Sequence, residues 1–349
     1  MKKTALVVAA LAGLPGSGAF AQSSVTLYGV ADVGVEFANH QKGAGDSVVR
    51  MQSGNLSGSR WGLRGAEDLG GGMRAIFALE SGYNVDDGKS GQSGRLFGRQ
   101  AWVGLSTAYG SLTLGRHNTP MYDIGVQYDP MGISTRYSIG VQDDVFQSRA
   151  DNSLKYTGKF GPVTAKLLYS FGADGTAGTN GEVPGHFTVG REYGASLAYE
   201  SGPLAVAAVY DEQDGDTVAS EGDRTRKAAL VGTYAIGPTK TYLGYRYGRT
   251  MTAPLNQTTN LYWAGVQWDI TQAWSLTGAA YYQDFRASGA DPWLFIVSGG
   301  YAFSRRTDVY LNVAYTRNKD DSNLGTGGFG STVPGKNQTG VLLGIRHKF

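Results

Sequence analysis

The side chains best equipped for chemistry do not assemble into a reaction centre. Histidines occur at His40, His117, His186 and His347, and none has the spacing of a metal site or a catalytic pair. Serines are abundant, but no G-x-S-x-G turn exposes one as a nucleophile. The glycine-rich run 325–330 has neither the sequence of a phosphate loop nor a strand-to-helix setting, and reads as flexible connection. Acid pairs at Asp86-Asp87, Asp143-Asp144 and Asp320-Asp321 offer hard oxygen ligands, yet no EF-hand spacing organises them. The expectation is a protein that is not an enzyme and that has no metal and no cofactor.

The elements that carry these residues are announced first by a leader. Lys2 and Lys3 precede an apolar run over 5–14 and a small-residue end, Ala19-Phe20-Ala21. That order predicts a cleaved secretory signal over 1–21, because the apolar run is too short to span a bilayer as a helix. Residues 22–349 then form a single domain. Removing the two lysines leaves as many acids as bases and no basic tract, so nucleic acid is excluded as a partner. With no cysteine, stability outside the cytosol must come from an extensive core or sheet.

The 53 glycines and 21 tyrosines are unusual. Many glycines fall within stretches rich in Tyr, Val, Leu and Thr, where they suit curling strands better than helices. Tight-turn sequences recur with centres near 70, 110, 161, 202, 237, 271 and 305, the first five supplied with the glycine or proline that hairpins need. Longer polar connections alternate with them, for example 40–55, 84–94, 173–186, 214–224 and 319–336. Seven short turns at one end imply sixteen antiparallel strands.

Strand periodicity agrees. Val25, Leu27, Val33, Val35 and Phe37 alternate with Thr26, Tyr28, Asp32 and Glu36, and a second alternation runs from Val341 to Phe349. Comparable strands are predicted over 72–83, 239–249, 258–268 and 307–317. Period two over ten or more residues matches a tilted membrane strand with one lipid face and one wet face. Unpaired backbone in hydrocarbon costs several kcal/mol per group, so the first strand must pair with the last. The fold class is therefore all-β, a sixteen-stranded transmembrane barrel wide enough for an aqueous lumen. Trp61, Tyr262, Trp263 and Trp268 are candidates for interfacial girdles, or equally for wall or subunit contacts.

One connection is exceptional. The stretch 117–147 carries Asp123, Asp129, Arg136, Asp143 and Asp144 together with Met121, Ile124, Val126, Met131 and Ile133. Its length and apolar content predict a loop that folds into the lumen. Alternation places Arg60 and Arg64 opposite the lipid-facing Trp61 and Leu63, and Arg149, Asp151 and Lys155 opposite Leu154 and Tyr156.

Several stretches together closely resemble the general porins of β-proteobacteria. They are Ser24-Val25-Thr26-Leu27-Tyr28-Gly29-Val30-Ala31-Asp32, the run from Ser59-Arg60-Trp61-Gly62 to Gly72, Phe97-Gly98-Arg99-Gln100-Ala101-Trp102-Val103-Gly104-Leu105, Leu114-Gly115-Arg116, and the tail from Gln338 to Phe349. The likeness runs over the whole mature chain. It implies a homotrimer of sixteen-stranded channels, each narrowed by its third external loop, with a terminal phenylalanine, here Phe349, as the signal for membrane insertion. It also implies a constriction lined on one wall by Arg60, Arg99 and Arg149, with Arg64 nearby. Arg99 shares parity with the outward Val103 and Leu105, so a bulge or subunit contact would be needed to admit it. Asp123 and Asp129 are the candidates for the opposite wall, with Asp143 and Asp144 behind. The expected function is passive diffusion of small hydrophilic solutes and ions across the outer membrane, with a mild anion preference. The alternative is a channel selective for an anionic or sugar solute. Outer-membrane lipids, lipopolysaccharide and the barrel assembly machinery complete the expected partners.

Overall fold

The structure is a computed structural model that describes residues 24–174, 181–252 and 255–349; the expected leader at 1–21 lies outside the described residues. In chain order the strands begin with β1 (Ser24–Ala38), β2 (Val48–Ser53), β3 (Arg60–Gly70), β4 (Met73–Gly82), β5 (Gln100–Thr107) and β6 (Gly110–Asn118). A helix, α1 (Pro120–Tyr128), separates β6 from β7 (Arg149–Phe160). Then come β8 (Val163–Ser170), β9 (Glu192–Ser201), β10 (Leu204–Asp214), β11 (Arg224–Ile236), β12 (Thr239–Thr252) and β13 (Leu255–Asp269). The last are β14 (Trp274–Phe285), β15 (Trp293–Ala302), β16 (Thr307–Arg317), the small hairpin β17 (Leu324–Gly325) and β18 (Gly328–Phe329), and β19 (Gln338–Lys348).

All but the small hairpin belong to one antiparallel sheet, in which β1 meets β19 from Val30↔Lys348 to Ala38↔Gly340. β2 and β3 both pair with β1 and act as one strand interrupted at 54–59. The result is the sixteen-stranded closed barrel expected, with a short turn at each of the seven expected centres. Closure leaves no edge amides to be satisfied in hydrocarbon. The outward face is apolar: Leu27, Val35, Leu230, Leu243, Val297 and Leu343 are among its exposed side chains. Their strand neighbours Asp32, Glu36, Val231, Tyr242, Ile296 and Leu342 are buried. This is the period-two pattern of a transmembrane wall.

Three details differ from expectation. The stretch 40–55 is not wholly loop, because β2 lies inside it. There Val49 and Met51 point outward while the Arg50 guanidinium reaches Glu36 at 2.7 Å. The break after β2 is held by Asp32, whose carboxylate accepts from the backbone N–H of Leu56 at 3.0 Å and Ser57 at 2.8 Å. Second, not every alternate connection is long: Thr252 pairs with Leu255 across β12 and β13, and the two residues between them lie outside the described residues. Third, Trp263 is only 2 % exposed and donates from Nε1 to the Tyr128 carbonyl at 3.0 Å, so it faces the opposite way from a girdle residue. Tyr262 and Trp268 do face outward.

The C-terminal residue completes the seam. Gly29 N–H donates to the Phe349 carbonyl at 3.0 Å, and Phe349 N–H returns the bond at 3.1 Å. A Cβ on Gly29 would stand 2.2 Å from the Phe349 ring. The missing side chain is what makes room for that ring beside β1.

Candidate functional site

Arg60 opens β3, Arg149 opens β7, and Arg99 immediately precedes β5, so three bases cluster at neighbouring strand starts. All three border one cavity of about 260 Å³. Glu80, near the end of β4, holds two of them. It accepts from Arg99 Nε at 2.8 Å, lies 3.6 Å from Arg60 Nε, and takes a third bond from the Tyr28 hydroxyl at 3.0 Å. The Arg149 guanidinium lies over the Tyr122 ring, 5.0 Å from its centroid, a contact whose electrostatics favour the cation. Arg99 also donates to the Tyr122 hydroxyl at 3.4 Å. Three bases against one carboxylate leave this cavity positive.

The parity conflict at Arg99 has a local resolution. β5 begins one residue later, so the outward register of Val103 and Leu105 does not extend to it. Its N–H donates to the Glu80 carbonyl at 3.1 Å, and the side chain turns to the same residue, 9 % exposed. Arg64 is placed differently. It is exposed on β3, stacked 5.2 Å from the Tyr28 ring centroid, and does not border the cavity.

The segment 117–147 packs back against the wall. Thr119 caps α1 by accepting from Tyr122 N–H at 3.2 Å, and Pro120 starts the helix where its missing N–H is harmless. Met121, Ile124, Tyr128, Ile139 and Phe146 are buried in one cluster with Val209, Val231, Leu261, Trp263 and Tyr281 of the strands. Gly265 lets Pro130 approach, since a Cβ there would lie 2.3 Å from the proline ring. Glu36, fully buried on β1, ties the other side. It meets Arg136 at 3.0 Å and accepts from the Tyr137 hydroxyl at 2.9 Å.

The acids of this segment serve as anchors, and none of the named pairs joins the arginine cluster. Asp123 is engaged by Lys155 at 2.6 Å and Lys166 at 2.9 Å. Asp129 is buried, accepting from the Tyr281 hydroxyl at 2.6 Å and from Ile133 N–H at 2.8 Å. Burial pushes its carboxyl up to about 6, although those donors pull the other way. Asp143 is also buried and contacts Lys227 and Arg246, each at 2.6 Å. Burial alone would raise its carboxyl, but the two bases outweigh it and hold the group below the usual range. Asp144 remains exposed.

Sequence reasoning missed Glu80, Arg95 and Arg116. The last two share Asp151, at 2.8 and 2.6 Å. A signal existed for Glu80: a carboxylate within a predicted membrane strand has to face away from lipid.

Comparison with known proteins places these features in a family. A family model described as Gram-negative porin matches residues 5–321. The chain is 34 % identical to outer membrane porin protein 32 of Delftia acidovorans and 32 % identical to an outer membrane porin protein of Bordetella pertussis, each match covering 100 % of both chains. The solved anion-selective porin from Comamonas acidovorans superposes with a TM-score of 0.82 at 30 % identity, covering 94 % of this chain and 100 % of the other.

Proposed function

This chain belongs to the Gram-negative porin family, an outer-membrane diffusion channel and not an enzyme, and on that premise we propose that it passes small hydrophilic solutes and ions with a mild preference for anions. The observation that carries the reading is the cavity shared by Arg60, Arg99 and Arg149, where Glu80 is the one carboxylate in contact with them among the described residues. Excess positive charge in a narrow, partly desolvated passage raises the local concentration of anions and opposes cations. The Comamonas acidovorans relative is itself described as anion-selective, which supports the same sign.

In this reading the segment 117–147 lies inside the lumen and narrows it. Its support is the set of ties to five regions of the wall: Glu36 on β1, Lys155 on β7, Lys227 on β11, Arg246 on β12 and Tyr281 on β14. Aperture then comes from the segment, while charge selection comes from the strand arginines. We also assign a cleaved leader at 1–21, an insertion role to Phe349, and a homotrimeric assembly through part of the apolar outer face. Cross-linking in membranes tests the last of these. Reversal potentials across a potassium chloride gradient test the selectivity. A clear cation preference would overturn it.

A further inference from the structure

Arg149 borders a second cavity, of about 480 Å³, whose charges are not matched in place. The other bases on it have partners already. Arg95 and Arg116 share Asp151, and Lys227 holds Asp143. Arg149 has no carboxylate within ion-pair distance among the described residues. Its Nη1 donates to the Gln147 carbonyl at 3.1 Å, and its Nε has no partner. Four acids border the same cavity: Asp174 lies 3.6 Å from Arg95 and the exposed Asp144 lies 3.8 Å from Lys227, while the other two, Glu192 at the start of β9 and Asp211 on β10, are 3 % and 5 % exposed. Neither forms an ion pair among the described residues. In the β9–β10 ladder Glu192 stands opposite Gln213 and Asp211 opposite Gly194, so the two carboxyls project from the same face, one diagonal step apart. Among the described residues Asp211 Oδ2 is left without a hydrogen-bond partner.

A buried carboxylate with a vacant oxygen is costly unless something completes it. The chain places such an oxygen and an unpaired guanidinium on one cavity, and the volume falls in the range of small-molecule sites, about 300–1,000 Å³. A simple cation entering it meets Arg95, Arg116 and Arg149. A simple anion meets the acid pair. A solute with an ammonium and a carboxylate satisfies both.

We propose that this cavity is a binding site for small zwitterions of the amino-acid class, with the ammonium on Asp211 and Glu192 and the carboxylate on Arg149. The assignment rests on the diffusion-channel reading and deepens it by naming a favoured solute. The guanidinium fork suits a carboxylate in two-point contact. Glu192 and Asp211 supply the acidic side, a role the loop acids Asp123 and Asp129 do not fill because their charges and hydrogen bonds are already engaged.

The test uses the full-length protein refolded into planar membranes, with γ-aminobutyrate as zwitterion and arabinose as a neutral solute of similar size. The expected result is saturable block of ion current by γ-aminobutyrate beyond any effect of arabinose. Glu192→Gln and Arg149→Gln, tested separately, should each raise the half-blocking concentration roughly fivefold, the effect of losing one partly screened ion pair. Each variant's folding is checked by its heat-dependent migration on gels. Equal block by the two solutes, or unchanged half-blocking concentrations in both folded variants, would overturn the zwitterion site alone. Absence of steady conductance from the folded wild-type protein would instead overturn the channel reading.

Discussion

Arg246 and Asp143 meet at 2.6 Å with side chains only 1 % and 5 % exposed, which makes them a buried ion pair between strand β12 and the segment 117–147. Lys227 reaches the same carboxylate from β11 at 2.6 Å. Removing Arg246 would leave Asp143 buried with a single base. Replacement by Leu should weaken attachment of the segment by about 3 kcal/mol. Faster proteolytic cleavage within 117–147 and a larger single-channel conductance are the expected readouts; unchanged values of both would count against an anchoring role.

Neutralising the arginine cluster should shift ion selectivity. Replacing Arg60, Arg99 and Arg149 together with Gln removes three positive charges from one cavity. The ratio of chloride to potassium permeability is expected to fall severalfold, by roughly 1 kcal/mol of lost electrostatic preference. Reversal potentials measured at low salt, where screening is weakest, give the largest difference.

Glu80 should act in the opposite direction. Its carboxylate lies against both Arg99 and Arg60, so Glu80→Gln frees positive charge and strengthens anion preference. The same change loosens the arginines, because a buried charge that loses its partner is destabilised. Selectivity and thermal stability are therefore expected to move apart in this variant, the first rising as the second falls.

Asp129 makes the segment sensitive to pH, and the sign follows from its raised carboxyl. Unfolded, the group titrates near 3.8; folded, burial lifts it to about 6. Between those values the folded form holds more proton, so stability falls as pH rises through the window and then levels off. The full effect is at most roughly 3 kcal/mol. Amide protection factors at 129–134, corrected for the intrinsic pH dependence of exchange, should be larger at pH 5 than at pH 7.5. Asp129→Asn should abolish the difference.

The seam at the C-terminus is sensitive to volume. A Cβ on Gly29 falls 2.2 Å from the Phe349 ring, so Gly29→Val must displace the ring or the strand. A loss of about 1–3 kcal/mol is expected, as for overpacking elsewhere. The temperature at which the barrel loses its compact migration on a gel should drop, and a compensating Phe349→Ala in the same chain should recover part of it.

Much of the architecture was legible because its causes are local. Turns need glycine and proline, and a strand between oil and water needs alternation; both are written residue by residue from Val25 to Phe349. The inward facing of Arg60 and Arg149 was legible for a related reason, since a base in a membrane strand must turn away from lipid, whereas their grouping with Arg99 came only from the family resemblance. What was hidden depends on where a strand starts or stops. β2 escaped because Asp32, distant in sequence, bends the chain at 54–59. Arg99 looked misplaced because parity was extended past the first residue of β5. The acids of 117–147 were read as pore lining, whereas their partners Lys155, Lys166, Lys227, Arg246 and Tyr281 come from strands up to 152 positions away. No local pattern encodes those pairings.

The pairing of β1 with β19 has a consequence for biogenesis. Its partners are about 300 positions apart along the chain, so β1 remains a one-sided template until the eleven residues of β19 have arrived. Contacts of such separation form slowly and late. A barrel still lacking β19 thus carries two raw borders, the free sides of β1 and β16, each open to recruiting an extended peptide.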